Sequence, residues 1–317
     1  MTGGAAPRVL VLGAGSIGAR HVRNLVAAGA EVTSTDPDAD RARATAAQHT
    51  VPFDLDQLPG YDGIVVASPS RLHLDQARAA VATGATVLVE KPLAHQVAGV
   101  DDLVAEGGRR LMVGYNLRLH RPIEELVAAV AAGRVGRPVS VHLWFGSWLP
   151  DWRPDVDYRA TYSARAELGG GVLDDAIHEL DLAVWLAGPD LRVVGALVER
   201  VGPLEIDVED TVRALLVDPA GLPVTVELDY LSRRYRRGIE VIGTEGTIRL
   251  DWSRAVLELE TAERVETTPA DTPVDRSYER EAQAFLDLIA GTAPAPVDGA
   301  TGAVSLRLAE AIRVAAR

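Results

Sequence analysis

The sequence contains no cysteine, and this absence excludes three kinds of chemistry. Disulfide bonds, thiolate nucleophiles and zinc sites built on thiolates all require that residue. A chain without cysteine suits a reducing compartment, and we expect a cytoplasmic protein. HELD (178–181) begins like the zinc-protease motif H-E-x-x-H, but the second histidine of the motif is missing. The sequence therefore predicts no metal site.

Long apolar runs and an excess of positive charge are also missing. No run of about 18 apolar residues is present to span a membrane. The N-terminal MTGGAAPR lacks the features of a signal peptide, and we expect it to be a short disordered segment that leads into the first strand. The 317-residue chain has 32 basic and 45 acidic residues, a formal net charge of −13. Because nucleic acids and anionic membranes attract positive charge, we expect neither as a main partner. With 47% hydrophobic and 24% charged residues, the composition is that of a globular protein with room for two domains.

The start of the chain carries a dinucleotide-binding pattern. RVLVL (8–12) predicts a buried strand, GAGSIG (13–18) follows it, and a helix leads to the strand EVTST (31–35) and Asp36. The first glycine makes a tight turn, the second lets backbone amides approach a pyrophosphate, and the third lets the helix pack closely. An acid about 20 residues further on binds the adenosine ribose. Asp36 also repels a 2′-phosphate, so NAD is expected, with NADP possible because Arg41 follows nearby.

Strands and helices continue to alternate up to residue 116, which indicates a doubly wound parallel sheet, a Rossmann domain. Strands are expected at 62–68, 85–92 and 110–116, and helices at 71–84 and 95–106. Such sheets bind ligands at the carboxyl ends of their strands. One edge should therefore gather the glycine-rich loop, Asp36, Ser68 to Ser70, Glu90 to Pro92 and Tyr115 to Asn116. Lys91 ends an apolar strand at this edge and is expected to point at the cofactor rather than to be a surface residue.

From about residue 138 the pattern changes to a run of strands with few helices between them. It predicts a second, α+β domain with an open, mainly antiparallel sheet, in which GTEG (243–246) forms a hairpin turn. RRYRR (233–237) is expected to form a solvated edge strand. Helices are expected near 120–133, 172–187, 277–290 and 301–316. The predicted domains are 1–118 and 119–317, with the C-terminal helices able to pack back on the first domain. The free face of the sheet predicts a homodimer or homotetramer.

The segment LGGGVLDDAIHELDLAVWLAGP (168–189) combines flexibility with acid–base chemistry. The apolar residues from Leu173 to Ala187 recur at helical spacing and predict one helix over 172–187. Asp174, His178 and Asp181 lie on the adjacent face of that helix. A carboxylate one turn from an imidazole orients it and suits a general acid or base. The alternative is an acid favoured by the helix dipole beside a buried structural histidine.

Several of these motifs together resemble the glucose–fructose oxidoreductase/inositol dehydrogenase family, Gfo/Idh/MocA, over almost the whole chain. They are VLVLGAGSIGARHVRNL, ASPSRLH, VEKPLA, GYNLRLHRP and GGGVLDDAIHELDLAVWLAG. The resemblance implies hydride transfer between NAD(P) and a secondary alcohol or ketone of a sugar, with Lys91, Asp174 and His178 as catalytic residues. The implied cofactor contacts, together with their neighbours at the sheet edge, are Gly13, Gly15, Ser16, Ile17, Gly18, Asp36, Ser68, Pro69, Ser70, His73, Glu90 and Lys91. Ala176 departs from the family pattern, which has glycine there.

The segment 148–171 is most similar to family members of nucleotide-sugar and surface-polysaccharide pathways. A nucleotide sugar or sugar acid is therefore the expected substrate, because aromatic rings can pack on a sugar and arginines can bind a carboxylate or phosphate. The expected substrate contacts, besides Asp174 and His178, are Asn116, Arg118, Trp152, Arg159 and Tyr162. Alternatively, the aromatic residues seal a domain interface and the arginines pair with nearby aspartates. An epimerase or eliminase with tightly bound NAD, or a non-catalytic nucleotide-binding regulator, stays open as a function.

Overall fold

The structure, a computed structural model, describes residues 5–316. The first four residues of the predicted lead-in lie outside this range. The chain forms two compact units. The first extends to Leu119 and includes Val274–Ala303, and the second contains His120–Pro273 and the residues from Val304 onwards. Within the described range, no helix is both long and apolar enough to span a lipid bilayer.

The regular elements are numbered in chain order. The strands are β1 (Arg8–Leu12), β2 (Glu31–Thr35), β3 (His49–Thr50), β4 (Gly63–Val66), β5 (Thr86–Glu90), β6 (Leu111–Gly114), β7 (Pro138–Gly146), β8 (Arg192–Glu199), β9 (Thr211–Val217), β10 (Pro223–Asp229), β11 (Arg236–Gly243), β12 (Gly246–Asp251), β13 (Val256–Thr261) and β14 (Val265–Pro269). The helices are α1 (Ser16–Ala27), α2 (Ala39–Arg43), α3 (His73–Ala82), α4 (Val100–Gly107), α5 (Arg121–Ala131), α6 (Val172–Asp175), α7 (Ile177–Ala187), α8 (Asp275–Ile289) and α9 (Gly299–Ala315).

The first unit is built on a parallel sheet in the order β3-β2-β1-β4-β5-β6. Its strands are short and apolar, and β1, β4 and β5 are buried almost throughout, as a parallel sheet covered on both faces requires. Val9, Val32 and Val65 pack with Leu25 of α1 and Phe285 of α8 in the core. The doubly wound parallel sheet predicted from the alternating pattern is confirmed, and α8 adds a late segment of the chain to this unit.

The second unit contains an eight-stranded sheet in the order β14-β13-β12-β11-β7-β10-β9-β8. All neighbours are antiparallel except β7 and β10, which run parallel. The predicted open, mainly antiparallel sheet is confirmed, and the GTEG segment connects β11 to β12. One expectation was wrong: β11 pairs with β12 and β7, so the RRYRR segment leads into an interior strand rather than an edge strand. The arginines there are accommodated because Arg236 and Arg237 form ion pairs with acidic side chains.

The single helix predicted over 172–187 is two helices. The backbone breaks at Ala176, with φ −99° and ψ 27°, so α6 contains Asp174 and α7 begins at Ile177. Asp174 and His178 therefore do not lie on one continuous helix face. The φ value is negative, so this position does not require glycine, and Ala176 is compatible with the turn. Every residue of α7 from Ile177 to Val184 is buried, so the expected polar face is buried as well.

Candidate active site

The loop between β1 and α1 has the shape that a dinucleotide pyrophosphate requires. A Cβ atom on Gly18 would lie 1.9 Å from the carbonyl oxygen of Gly13, so only glycine lets α1 pack this closely. A Cβ atom on Gly15 would meet nothing within 4 Å, because it would project into open space. Backbone amides at the N-terminus of a 12-residue helix favour an anion in such a space. The loop, with Ser16 and Ile17 in the first turn of α1, therefore fits NAD.

Asp36 directly follows β2 and ties the glycine-rich loop to the next loop. Its Oδ2 accepts the N–H of Ala14 at 2.8 Å, and its Oδ1 accepts the N–H of Asp38 at 2.8 Å. Each carboxylate oxygen can accept a second hydrogen bond, so the predicted ribose hydroxyls can still bind. The negative charge beside the loop favours NAD over a cofactor with a 2′-phosphate.

His73, at the start of α3, joins the loops that follow β4 and β5. The ring is buried, with Nδ1 2.7 Å from the carbonyl oxygen of Pro92 and Nε2 2.8 Å from that of Ser68. Burial lowers the pKa of His73, and the two carbonyl oxygens act in the opposite direction because they favour a protonated ring. His73 thus positions residues 68–70 and the Lys91–Pro92 segment through their backbones.

Glu90, at the end of β5, belongs to a buried cluster with His21 of α1 and Glu281 of α8. Glu90 Oε1 lies 2.6 Å from His21 Nε2, and Glu90 Oε2 accepts the backbone N–H of Lys91 at 3.1 Å. One polar atom from each of the three side chains lies within 4.8 Å of the others, a spacing that could also hold a metal ion. Glu281 is 1% exposed and its Oε2 has no hydrogen-bond partner among the described residues.

The pKa values of the two carboxyl groups of this cluster are shifted in opposite directions. Burial raises the pKa of Glu281 well above its ordinary value, and the charge of Glu90 raises it further. Burial also acts to raise the pKa of Glu90, but the hydrogen bond and charge of His21 and the charge of Lys91 outweigh it, so this pKa is lowered. The fold therefore makes Glu281 the weaker acid of the pair and Glu90, next to Lys91, the stronger one.

Lys91, Asn116 and Arg118 follow β5 and β6 in the same unit. Lys91 and Arg118 are half-buried. Asn116 is buried, and its Nδ2 donates to the hydroxyl oxygen of Ser277, in the first turn of α8, at 2.7 Å. This bond uses one of the two N–H donors of the amide, so the second N–H and the amide oxygen are the groups with which Asn116 could bind a substrate.

In the second unit, Asp174 and His178 lie on either side of the break at Ala176. Asp174 is buried, and its Oδ1 lies 2.6 Å from Nη2 of Arg313 on α9. A charge-assisted contact of this length fixes the direction of the carboxylate. His178, in the first turn of α7, is 9% exposed. The carboxylate and the imidazole predicted to work together are thus both held in the interior near the junction of α6 and α7.

Asp175 binds two tyrosines. The hydroxyls of Tyr162 and Tyr230 donate to its two carboxylate oxygens, each at 2.5 Å. Burial raises the pKa of both tyrosines well above the ordinary value, and the charge of Asp175 adds to this. Both hydroxyls therefore stay protonated near neutral pH and are occupied as donors. Tyr162, a predicted substrate contact, is 37% exposed, so part of this side chain is accessible although its hydroxyl proton is donated to Asp175.

A small cleft lies in the segment predicted to bind substrate; its lining is Leu149, Trp152, Arg153, Tyr158, Thr161, Tyr162 and Ser163. Trp152 is held by a hydrogen bond from its Nε1 to Ser147 at 2.8 Å and packs edge-on against Tyr230. Arg159 does not line the cleft. It forms ion pairs with Asp157 at 2.9 Å and Glu205 at 3.2 Å, so the alternative of arginines paired with neighbouring acids holds for this residue.

Comparison with known proteins identifies the family. Residues 7–115 match the family described as "Oxidoreductase family, NAD-binding Rossmann fold", and residues 123–249 match the GFO/IDH/MocA C-terminal domain. The chain is 32% identical over 305 residues to inositol 2-dehydrogenase 1 of Saccharopolyspora erythraea, covering 89% of this chain and 86% of that protein. The chain belongs to the Gfo/Idh/MocA family. The predicted family, enzyme class and NAD-binding domain are thereby confirmed.

Solved structures of this Gfo/Idh/MocA fold align along nearly the full chain. The UDP-N-acetylglucosamine 3-dehydrogenase GnnA from Acidithiobacillus ferrooxidans has a TM-score of 0.80 and 24% identity, covering 98% of both chains. The WlbA dehydrogenase from Bordetella pertussis, solved with NADH and UDP-GlcNAcA, has a TM-score of 0.83 and 25% identity, covering 98% of this chain and 96% of that one.

Sequence reasoning missed five residues in and around these sites. They are His21, Glu281, Arg313, Glu209, which accepts the N–H of Leu173 next to Asp174, and Arg237, which pairs with Glu179 next to His178. Each contacts a partner far away along the chain, which no local pattern reveals. A signal existed for the first two. His21 and Glu281 each interrupt the apolar face of an amphipathic helix, where an ionisable residue is costly to bury unless it has a partner.

Proposed function

We propose that the enzyme interconverts a secondary alcohol and a ketone on a sugar or cyclic polyol, using NAD. The observation that carries the proposal is the α6–α7 junction, where Asp174 is fixed by Arg313 and His178 follows the break in the helix. The relatives support this substrate class, since one is an inositol 2-dehydrogenase and another was solved with UDP-GlcNAcA.

Three residues are assigned to the acid–base chemistry. His178 accepts the proton of the substrate hydroxyl as general base and returns it in the reverse direction. Asp174 orients the imidazole or a neighbouring substrate hydroxyl. Lys91 donates a hydrogen bond to the reacting oxygen and stabilises the negative charge that develops there. Bound NAD supplies the hydride acceptor.

The cofactor contacts proposed for this chain are those at the sheet edge. The glycine-rich loop would hold the pyrophosphate, and Asp36 the ribose hydroxyls. Glu90 and His73 act on the loop around Lys91, because both bind its backbone or that of Pro92. The remaining proposed contacts are Ser16, Ile17, Ser68, Pro69 and Ser70.

For the substrate we propose an anionic sugar, either a sugar acid or a nucleotide sugar. Trp152 and Tyr162 offer ring faces to a sugar, and Arg153 lines the same cleft with a guanidinium that can pair with a carboxylate or phosphate. Arg159 is held by Asp157 and Glu205 and would contribute less. Asn116 and Arg118 are the other proposed substrate contacts.

A near-ultraviolet absorbance screen tests this function. NAD or NADP is combined with myo-inositol, sugar acids or nucleotide sugars, and formation of the reduced cofactor is followed. We expect oxidation of at least one anionic sugar with NAD and much slower oxidation with NADP. Conversion of a sugar without added NAD, with no net absorbance change, would instead indicate an epimerase or eliminase. Binding of NAD without conversion of any of these compounds would contradict the proposal.

We also propose that the enzyme is a homodimer or homotetramer that associates through the eight-stranded sheet. The register places Leu197, Leu215 and Ile242 on one face, and each of them is more than 40% exposed. Exposed apolar side chains on one sheet face are typical of a protein interface.

A further inference from the structure

Glu209 holds the short segment that carries Asp174. Its carbonyl oxygen accepts the N–H of Val172 at 3.3 Å, and its Oε1 accepts the N–H of Leu173 at 3.1 Å. Gly171, just before this segment, has φ +119°, and a Cβ atom there would lie 2.4 Å from Oε1 of Glu209. Glycine is therefore required where the Glu209 carboxylate passes the chain, and the carboxylate fixes the backbone directly before Asp174.

Glu209 and Asp174 also share one cation. Arg313 contacts Asp174 at 2.6 Å, and its positive charge acts on Glu209 as well. The charged and titratable groups facing Glu209 are Asp174 from α6, Arg313 from α9 and Tyr230, which follows β10. Tyr230 stays a neutral donor to Asp175, so the charged groups that act on Glu209 are Asp174 and Arg313.

We propose that Glu209 is a positioning residue for Asp174, coupled to it through the backbone of Leu173 and through the shared cation Arg313. This inference rests on the proposed function, in which Asp174 belongs to the catalytic site. The coupling itself can be measured without a substrate.

Glu209 titrates near neutral pH, so its coupling to Asp174 should change with pH in that range. Burial raises the pKa of Glu209 to about 7; the negative charge of Asp174 raises it and the positive charge of Arg313 lowers it. Below this pH a neutral carboxyl accepts only a weak hydrogen bond from Leu173. Above it, the carboxylate binds the Leu173 N–H more strongly and adds a second negative charge that acts on Arg313.

Nuclear magnetic resonance of the full-length protein labelled with ¹⁵N-leucine tests the coupling. We expect the Leu173 amide signal to shift with a midpoint near pH 7 and this shift to disappear in Glu209→Gln. Glu199→Gln, an exposed change on β8, serves as the matched control and should leave the titration intact. In Asp174→Asn, which retains Glu209, the midpoint should fall because a neighbouring negative charge is removed. A Leu173 signal that does not titrate, or a midpoint unchanged by Asp174→Asn, would overturn the proposal.

The pH profile of catalysis separates positioning from a merely structural role. With the sugar identified in the absorbance screen, Glu209→Gln should lower kcat roughly 10- to 100-fold and remove the inflection near pH 7, with little change in KM. An equal loss at every pH would indicate damage to the fold only. If Leu173 titrates as expected but no sugar is oxidised, the proposed function fails and the Glu209–Asp174 coupling stands. If a sugar is oxidised but the Leu173 signal does not titrate, the positioning role of Glu209 is rejected and the proposed function is retained.

Discussion

His178 is the residue whose loss should remove catalysis while the fold remains. It lies in the first turn of α7, and its assigned role is general base. His178→Ala should lower turnover roughly 10²- to 10⁴-fold, the usual contribution of a positioned acid or base. Steady-state kinetics and an NAD binding titration measure the effect, and NAD affinity should be retained. His49→Ala, on the exposed strand β3, is the control. Turnover near the wild-type value in His178→Ala would remove His178 from the mechanism.

Glu281 carries a proton in the folded protein that the unfolded chain releases at lower pH. Because folding raises the pKa of Glu281, its contribution to stability is fully present below the unfolded pKa and is lost as the pH rises through the folded pKa. Glu281→Gln keeps the shape of the neutral acid and has no such loss. The variant should therefore gain stability relative to the wild type as the pH rises from about 5 to about 8.

Urea unfolding across that pH range measures the Glu281 effect. Glu279→Gln, on the same helix but half-exposed in an ion pair with Arg276, is the matched control and should follow the wild-type curve. If the curves of Glu281→Gln and the wild type run parallel, Glu281 does not hold the proton assigned to it.

At the scale of elements, one ion pair holds α7 against the sheet. Arg237 of β11 lies 2.6 Å from Glu179 of α7, and the two side chains are 12% and 2% exposed. Arg237→Met should lower the free energy of unfolding by about 3–5 kcal/mol, because a buried carboxylate loses its ion pair. Chemical denaturation measures this loss.

Two further variants test whether charge is the cause. The double variant Glu179→Gln/Arg237→Met should recover part of the stability, since the buried charge is then removed as well. Arg254→Met, which breaks a more exposed pair with Glu258, should cost about 1 kcal/mol or less. A double variant no more stable than Arg237→Met would show that packing of the arginine, not its charge, holds α7.

At the scale of the whole molecule, the exposed sheet face predicts self-association. Leu197 and Leu215 lie on adjacent strands of this face, and each is more than 40% exposed. Leu197→Asp/Leu215→Asp should convert an oligomer to a monomer, because association would bury two uncompensated charges. Light scattering gives the mass, and circular dichroism checks that the fold is retained. A monomeric wild-type protein, or an unchanged mass in the double variant, would reject this interface.

The fold of the first unit could be predicted because its sequence motifs act between residues that are close together in the chain. The strand RVLVL, the glycines at 13, 15 and 18 and the acid at 36 act within one strand–helix–strand unit, so their order along the chain already dictates the geometry. The helix break at Ala176 could not be found in this way. Every residue from 172 to 187 suits a helix, and the break lies beside Asp174 and Asp175, whose carboxylates bind Arg313, Tyr162 and Tyr230.

Hydrophobic periodicity and turn residues thus determined the two architectures, the NAD loop and the placement of Lys91 after β5, because these depend on neighbours in the chain. Tertiary structure alone decided which charges meet. Arg313 reaches Asp174, Arg237 reaches Glu179 and Glu281 approaches Glu90 only once distant elements have packed. The physical reason is that burial weakens the screening of charge. A protonation state is therefore set by whatever the fold brings near, and no local pattern encodes it.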